Sequence, residues 1–309
     1  MALARIGALD CDTNYNNLYP AFMADPAGTF LYGGRNPSIT GSPRGLIAKI
    51  ATSTFTQVAG LDITAMTVGG FFPGVIDTAG AFMYIPSSGS SQDLYKINLS
   101  TFTVTTSLPY GGKELKAIAI DNTGGFLYLH DENGNWYKIS LATFTETATL
   151  ASSGVVLSAV VDEANGFLYY TSDVVAGRIY KLTLSDFSTL TYLQTSATDN
   201  FSNLAIDSIN GLLYGKTNGA TVQCVKVQLS NFTEVGYLAL TDLSAAGERN
   251  GFVLDSAGTF LYVGGNNSPA IIKAINTAAF VVDSSLPLNP GENGAGVMVI
   301  AGSFLYASL

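Results

Sequence analysis

Leu115-Lys-Ala-Ile-Ala-Ile-Asp-Asn-Thr-Gly-Gly-Phe-Leu-Tyr-Leu-His-Asp-Glu-Asn-Gly-Asn-Trp-Tyr-Lys-Ile-Ser-Leu-Ala-Thr-Phe-Thr-Glu-Thr-Ala-Thr-Leu150 reads as four strands joined by three turns. The first strand is 115–120, with small alanines where strands crowd an axis. Asp121-Asn-Thr-Gly-Gly125 follows as a tight turn: the Asp side chain can accept from backbone N–H groups and glycine tolerates positive φ. Phe126–Leu129 is the second strand and Trp136–Leu141 the third. Thr143-Phe-Thr145 then turns the chain into an outer strand that ends at Leu150.

The same unit recurs along the whole chain. Asp-x-x-x-x-(Phe/Leu)-x-Tyr runs Asp25–Tyr32, Asp77–Tyr84, Asp121–Tyr128, Asp162–Tyr169, Asp207–Tyr214 and Asp255–Tyr262. A seventh copy, Val299–Tyr306, keeps Gly302, Phe304, Leu305 and Tyr306 without the aspartate. Successive tyrosines stand 52, 44, 41, 45, 48 and 44 residues apart. A β-rich period in the forties is that of a propeller blade. Each of the first six copies is followed by Lys and then Phe: Lys49/Phe55, Lys96/Phe102, Lys138/Phe144, Lys181/Phe187, Lys226/Phe232 and Lys273/Phe280, the last pair one residue longer.

The expected fold is therefore all-β: a seven-bladed β-propeller spanning 1–309 as one domain. Its seventh copy ends at Leu309 after two strands, and Arg5-Ile6-x-x-Leu9 has the pattern of a third strand, with Arg in the Lys position. Pairing the N-terminal segment with the C-terminal strands would close the last blade and remove two open edges.

These units resemble the YVTN and NHL class of repeats, on Asp-x-x-Gly-x-x-Leu-Tyr followed by Lys-Ile-x-Leu, with Tyr262-Val-Gly-Gly-Asn266 the nearest local echo. The WD dipeptide and the paired glycines of kelch repeats are absent. The resemblance covers essentially the whole chain. It implies a propeller and leaves activity open, because that class includes surface proteins, binding scaffolds and some hydrolases or lyases.

Composition narrows the function classes. Only 12% of residues are charged, against roughly 25% in ordinary soluble domains, and the net charge is −9. Half of the 14 basic residues belong to one repeat position, so the clustered cations that displace phosphate counterions are not expected, and nucleic acid is not an expected partner. Cys11 and Cys224 fall in strands of different blades and are not expected to pair. No apolar stretch approaches the roughly 20 residues of a membrane span, and the first residues lack a signal-peptide core, so membrane insertion is not expected. Asn98-Leu-Ser100 and Asn231-Phe-Thr233 fit the glycan-acceptor pattern, but both fall in a recurring turn.

Residues that break the repeat are the better site candidates, since a single site cannot use a residue present in every blade. One set of loops leads into the first strands; another joins second to third strands and includes Gly33–Arg44, His130–Asn135 and Lys216–Ala220. Seven residues before each turn aspartate stand Leu18, Gly70, Glu114, Val155, Asn200 and Glu248, and Glu292 stands seven before Val299 of the last copy. Oxygen ligands at that height could hold Ca²⁺, with Glu248 and Glu292 the nearest to a pair, or a like-charge pair could raise one carboxylate for acid catalysis. The plainer reading of these acids is as solvated loop residues. His130, the only histidine, stands at a loop start near Trp136 and reads as a surface polar residue. Phe71 and Phe72 could offer a stacking surface for sugar or close the core, and Arg35 and Arg44 could meet an acidic partner. No Gly-x-Ser-x-Gly nucleophile is present.

Two readings follow. One is a non-enzymatic binding or structural module on a virion or extracellular surface, with a protein or glycan partner and no cofactor, Ca²⁺ excepted. The other is a metal-assisted hydrolase or lyase acting through Glu114, Glu248 and Glu292.

Overall fold

The computed structural model describes residues 4, 18–35, 46–63, 74–87, 92–188, 190–244, 251–292 and 294–308. The described residues form an all-β structure of repeated four-stranded blades, a β-propeller. Two compact units divide the chain: one takes in Ser152–Met298, the other Gly7–Ala151 and Val299–Ser308.

The second of these units holds three blades. Blade 1 is β1 (Leu18–Ala24), β2 (Phe30–Arg35), β3 (Leu46–Ala51) and β4 (Thr56–Asp62). Blade 2 is β5 (Val75–Ile76), β6 (Phe82–Pro86), β7 (Asp93–Asn98) and β8 (Thr103–Pro109). Blade 3 is β9 (Leu115–Asp121), β10 (Phe126–Asp131), β11 (Asn135–Ser140) and β12 (Thr145–Ala151). The other unit holds blade 4, β13 (Val156–Asp162), β14 (Phe167–Ser172), β15 (Arg178–Thr183) and β16 (Leu190–Gln194). Blade 5 follows as β17 (Phe201–Asp207), β18 (Leu212–Thr217), β19 (Val222–Gln228) and β20 (Thr233–Leu240). Blade 6 is β21 (Phe252–Leu254), β22 (Phe260–Gly264), β23 (Ile271–Asn276) and β24 (Val281–Pro287). Every blade is an antiparallel meander in which sequence neighbours pair.

Among the described residues six sheets have four strands, and a further sheet has only two, β25 (Met298–Ala301) and β26 (Phe304–Ala307). The seventh copy is thus a hairpin of first and second strands. The expected completing segment, Arg5–Leu9, lies outside the described residues, as do Cys11 and most of the 33–44 loop.

The core lies between blades. One cluster joins Met23, Tyr32 and Ile47 of blade 1 to Met83, Tyr95 and Ile97 of blade 2. Another joins Tyr84 and Leu94 to Leu115, Leu127 and Tyr137 of blade 3. Blades 4 and 5 meet through Tyr169, Ile179, Phe201 and Leu213, and blades 5 and 6 through Tyr214, Cys224, Leu261 and Ile275. Each strand alternates its side chains between two faces, so a blade offers one apolar face forward and one back.

The repeated motif is the forward contact. The turn aspartate caps its own hairpin: Asp25 Oδ1 accepts from Thr29 N at 2.6 Å and Phe30 N at 2.9 Å, and Asp121 Oδ1 from Gly124 N at 2.7 Å. The tyrosine packs on the phenylalanine of the next blade, with ring centroids 5.9 Å apart for Tyr32–Phe102, 6.0 Å for Tyr84–Phe144 and 5.5 Å for Tyr169–Phe232. Burial and the neighbouring Asp25 push the Tyr32 hydroxyl up to about 12.

The lysine lies directly across the ladder from that tyrosine, as in Tyr32↔Lys49 and Tyr169↔Lys181. Its ammonium sits over the phenylalanine that starts the second strand: 4.1 Å for Lys49–Phe30, 4.3 Å for Lys96–Phe82, 4.2 Å for Lys138–Phe126 and 3.7 Å for Lys181–Phe167. Lys49 Nζ also donates to Leu99 O of blade 2, and Lys226 Nζ to Thr277 O of blade 6. Attraction of a cation to ring faces is worth more when it is partly desolvated.

The turn phenylalanines carry a feature the sequence does not announce. Phe55, Phe102, Phe144, Phe187, Phe232 and Phe280 all have φ between 50 and 54°. Phe144 N donates to Ser140 O and Phe280 N to Asn276 O, both at 2.8 Å, and a bulge follows in the outer strand. Left-handed backbone ordinarily goes to glycine; here Phe102, Phe144, Phe232 and Phe280 are each packed on a tyrosine of the preceding blade.

The sixth copy departs from the expected pattern. Tyr262 faces Ala274, and Lys273 pairs with Val263. One residue of displacement sends a strand side chain to the opposite face. Lys273 therefore points backward and is buried, with Nζ 2.7 Å from Asp242 Oδ2 and 3.2 Å from Ser285 Oγ. It is not the sixth member of the lysine series.

Candidate functional site

The loop ends of the blades are where the repeat breaks. Glu114, Val155 and Asn200 hold equivalent backbone positions, just before the first strands β9, β13 and β17. Their carbonyls accept from the residue that follows the second strand: Glu132 N at 2.8 Å, Asp173 N at 3.1 Å and Asn218 N at 3.0 Å. Glu292 is placed differently. It closes a turn, its N–H donating to Asn289 O at 3.0 Å while its Oε2 accepts from Asn289 N at 2.8 Å. Its carbonyl takes Ala270 N at the start of the third strand rather than at the end of the second.

The Glu114 carboxylate forms an ion pair with Lys116 at 2.9 Å. Asn200 Nδ2 donates to Asp173 O at 3.2 Å. Glu114 belongs to one unit, Asn200 and Glu292 to the other. Glu248, Phe71 and Phe72 lie outside the described residues. Among the described residues no three His, Cys, Asp or Glu side chains come together as a metal-binding group.

His130 is not on the surface. It belongs to β10, where it faces Trp136 of β11 and Ala117 of β9, and both His130 and Trp136 are completely buried. Their rings meet edge to face at 5.0 Å. The polar run His130–Glu132 suggested a loop, but strand pairing continues to Asp131 and carries the imidazole inside.

Asp131 shows what the end of the second strand does. Its Oδ1 accepts from Asn133 N and Asn135 N, both at 2.9 Å, and Oδ2 from the Tyr137 hydroxyl at 2.6 Å. Burial pushes the carboxyl up, but the Tyr137 and Asn135 donors outweigh it and hold it below the usual range. Lys113 Nζ donates to the same Tyr137 oxygen at 2.9 Å. The equivalent position in other blades is Ser87, whose Oγ accepts from Asp93 N, and Thr217, whose Oγ1 accepts from Gln223 N. These buried side chains close the second-to-third-strand loops, so Asp131 and Tyr137 form a rigid frame beneath the exposed loop tips.

One buried group was invisible in the sequence pattern. Lys216, read as a loop residue, lies in β18 directly opposite Cys224 of β19, and both are fully buried. Burial pushes the Lys216 amine down to about 8 and the Cys224 thiol up to about 12. The only signal was its place two residues after the repeat tyrosine, the same place His130 holds in blade 3.

Comparison with protein-family models finds no match to this chain, and comparison with curated proteins finds none.

Proposed function

We propose that the chain is a non-enzymatic binding or structural module, a seven-bladed propeller of the YVTN and NHL type. In this reading it is displayed on a virion or extracellular surface and contacts protein or glycan through its loop ends. One observation carries this reading: the repeated charges and aromatics are taken up in blade-to-blade contacts. The loops also differ from blade to blade, and they stand on buried braces such as Asp131–Tyr137. Binding residues concentrate on loops held by a rigid scaffold. The low charge content fits a surface role.

A glycan array probed with the intact protein, beside thermal unfolding with Ca²⁺ and with a chelator, tests this. Saturable binding to a glycan class, with an unfolding temperature indifferent to Ca²⁺, is the expected result. A ligand at a hundredfold excess over its Kd adds about 2.7 kcal/mol of stability, so a Ca²⁺ shift of that size would instead favour an acid-lined metal site.

The seven-blade count has support of its own. Tyr306 packs on Phe55 at 5.7 Å, the same tyrosine-to-next-phenylalanine contact that joins blades 1 and 2. Ala301 lies in one cluster with Leu31, Ala48 and Ile50. The two-stranded sheet thus stands to blade 1 as a preceding blade would, and in this reading Arg5–Leu9 would supply its third strand. Ile6→Asp with Leu9→Asp should then lower stability by about 3 kcal/mol or more, since two charges would enter an apolar face. An unchanged unfolding temperature would leave the segment as a tail and the count at six and a half.

A further inference from the structure

Among the described residues, the outer strand of each four-stranded blade pairs on one side only. Such an edge presents a row of main-chain N–H and C=O groups to which a second strand can add, unless something guards it. Five of the six outer strands carry a guard. β8 and β24 end in Pro109 and Pro287, and β24 also exposes Asp283. β4 ends in the exposed Asp62, β12 exposes Glu146, and β16 is only five residues long.

β20 is the exception. At eight residues it is the longest of the six, and its partner is β19. Val235 is the extra residue of a bulge near its start; Gly236–Leu240 is regular and has neither charge nor proline. One face of this segment is fixed by blade 6. A Cβ on Gly236 would stand 2.9 Å from the Phe280 ring, and Leu238 and Leu240 join the core between blades 5 and 6. The other face is open to solvent, with Tyr237 44% exposed and Ala239 exposed beside it. The strand's one charged side chain, Glu234, precedes the regular segment, and its carboxylate accepts from the N–H and hydroxyl of Ser196.

We infer that Gly236–Leu240 is a docking edge for the same segment of a second copy of this chain. The segment complements itself in an antiparallel pair about a two-fold axis at Leu238. Gly236 then lies opposite Leu240 and Tyr237 opposite Ala239, a small residue against a large one at each pair off the axis. No like charges meet across the joint. Both members are strands already held in place, so pairing carries no cost of ordering a flexible peptide. The edge is on the outer wall of blade 5, so this inference stands or falls independently of the loop-face reading.

Sedimentation of the intact protein over a wide range of concentrations tests this. A monomer–dimer equilibrium is expected, and it should tighten as salt screens the net charge of −9 on each copy. Tyr237→Lys puts a cation on the exposed face of the edge and should weaken the dimer about tenfold or more, and Ala239→Lys should do the same. Ser107→Lys is the control: Ser107 faces Tyr95 in β8 as Tyr237 faces Val225 in β20, and its substitution should leave the dimer unchanged. A chain that stays monomeric at every concentration overturns the proposal. So does a dimer that both β20 variants leave at full strength, or one that Ser107→Lys weakens equally.

Discussion

Replacing Lys216 by methionine should stabilise the protein by about 3 kcal/mol at pH 7, because burial holds its amine at about 8 against an ordinary 10.5. In the unfolded chain the amine keeps its proton up to its ordinary 10.5, whereas in the fold it releases it at about 8 because burial opposes the charge. The unfolded state therefore binds this proton more tightly, and native stability rises as pH climbs from about 8 towards 10.5. Below pH 8 the destabilisation is present in full. Methionine has nearly the same shape and no charge, so it removes the penalty without opening a cavity. Denaturant unfolding of both proteins at pH 7 and above pH 10 checks this: the gap should be wide at the lower pH and nearly closed at the higher. A gap of equal size at both would mean that the charge is not what makes Lys216 unfavourable.

The second expected result concerns an inverted order of substitutions. Phe144→Ala should cost about 4 kcal/mol, because a nearly buried ring that packs on Tyr84 at 6.0 Å is lost. Phe144→Gly should cost about 1 kcal/mol less than the alanine, although glycine is ordinarily the worse choice in a β-hairpin. Residue 144 has φ 51°, a conformation that alanine adopts only with strain and glycine adopts freely. Urea unfolding of the two variants decides it. If the alanine protein is the more stable, the left-handed turn does not stay fixed once its ring is gone.

Much of this fold can be read from residue spacing alone. Asp121, Gly125, Tyr128, Lys138 and Phe144 mark the turn, the second strand, the third strand and the hairpin in the order the structure has them, because each makes a contact that its neighbours cannot replace. Register is what spacing reads poorly. The seven-residue gap from Lys273 to Phe280, against six elsewhere, was the visible sign that this lysine had changed faces, yet residue type alone placed it with the others. Where strands end was read poorly too. His130 and Lys216 look like loop residues because they are polar, but strand pairing carries both inside. Glu114 and Asn200 hold equivalent positions in their own blades, as the spacing from the turn aspartate predicts, while Glu292 follows a turn of its own. Glu248, Phe71 and Phe72 lie outside the described residues.

The blade-to-blade contact has a direction. In blades 1 and 5 tyrosine and lysine reach forward, and the next blade answers with phenylalanine and a main-chain oxygen, as Lys49 and Tyr32 do with Leu99 and Phe102. A contact of this kind is a plug and a socket rather than two matching halves. A chain cut after blade 1 would expose a plug, and a chain begun at blade 2 would expose a socket. Two fragments of one molecule, or of two molecules, could then rejoin at the same joint. Gene duplication of a single blade would likewise insert a unit that fits both neighbours without redesign, which is one way the spacing of 41 to 52 residues could have drifted while the joint stayed the same.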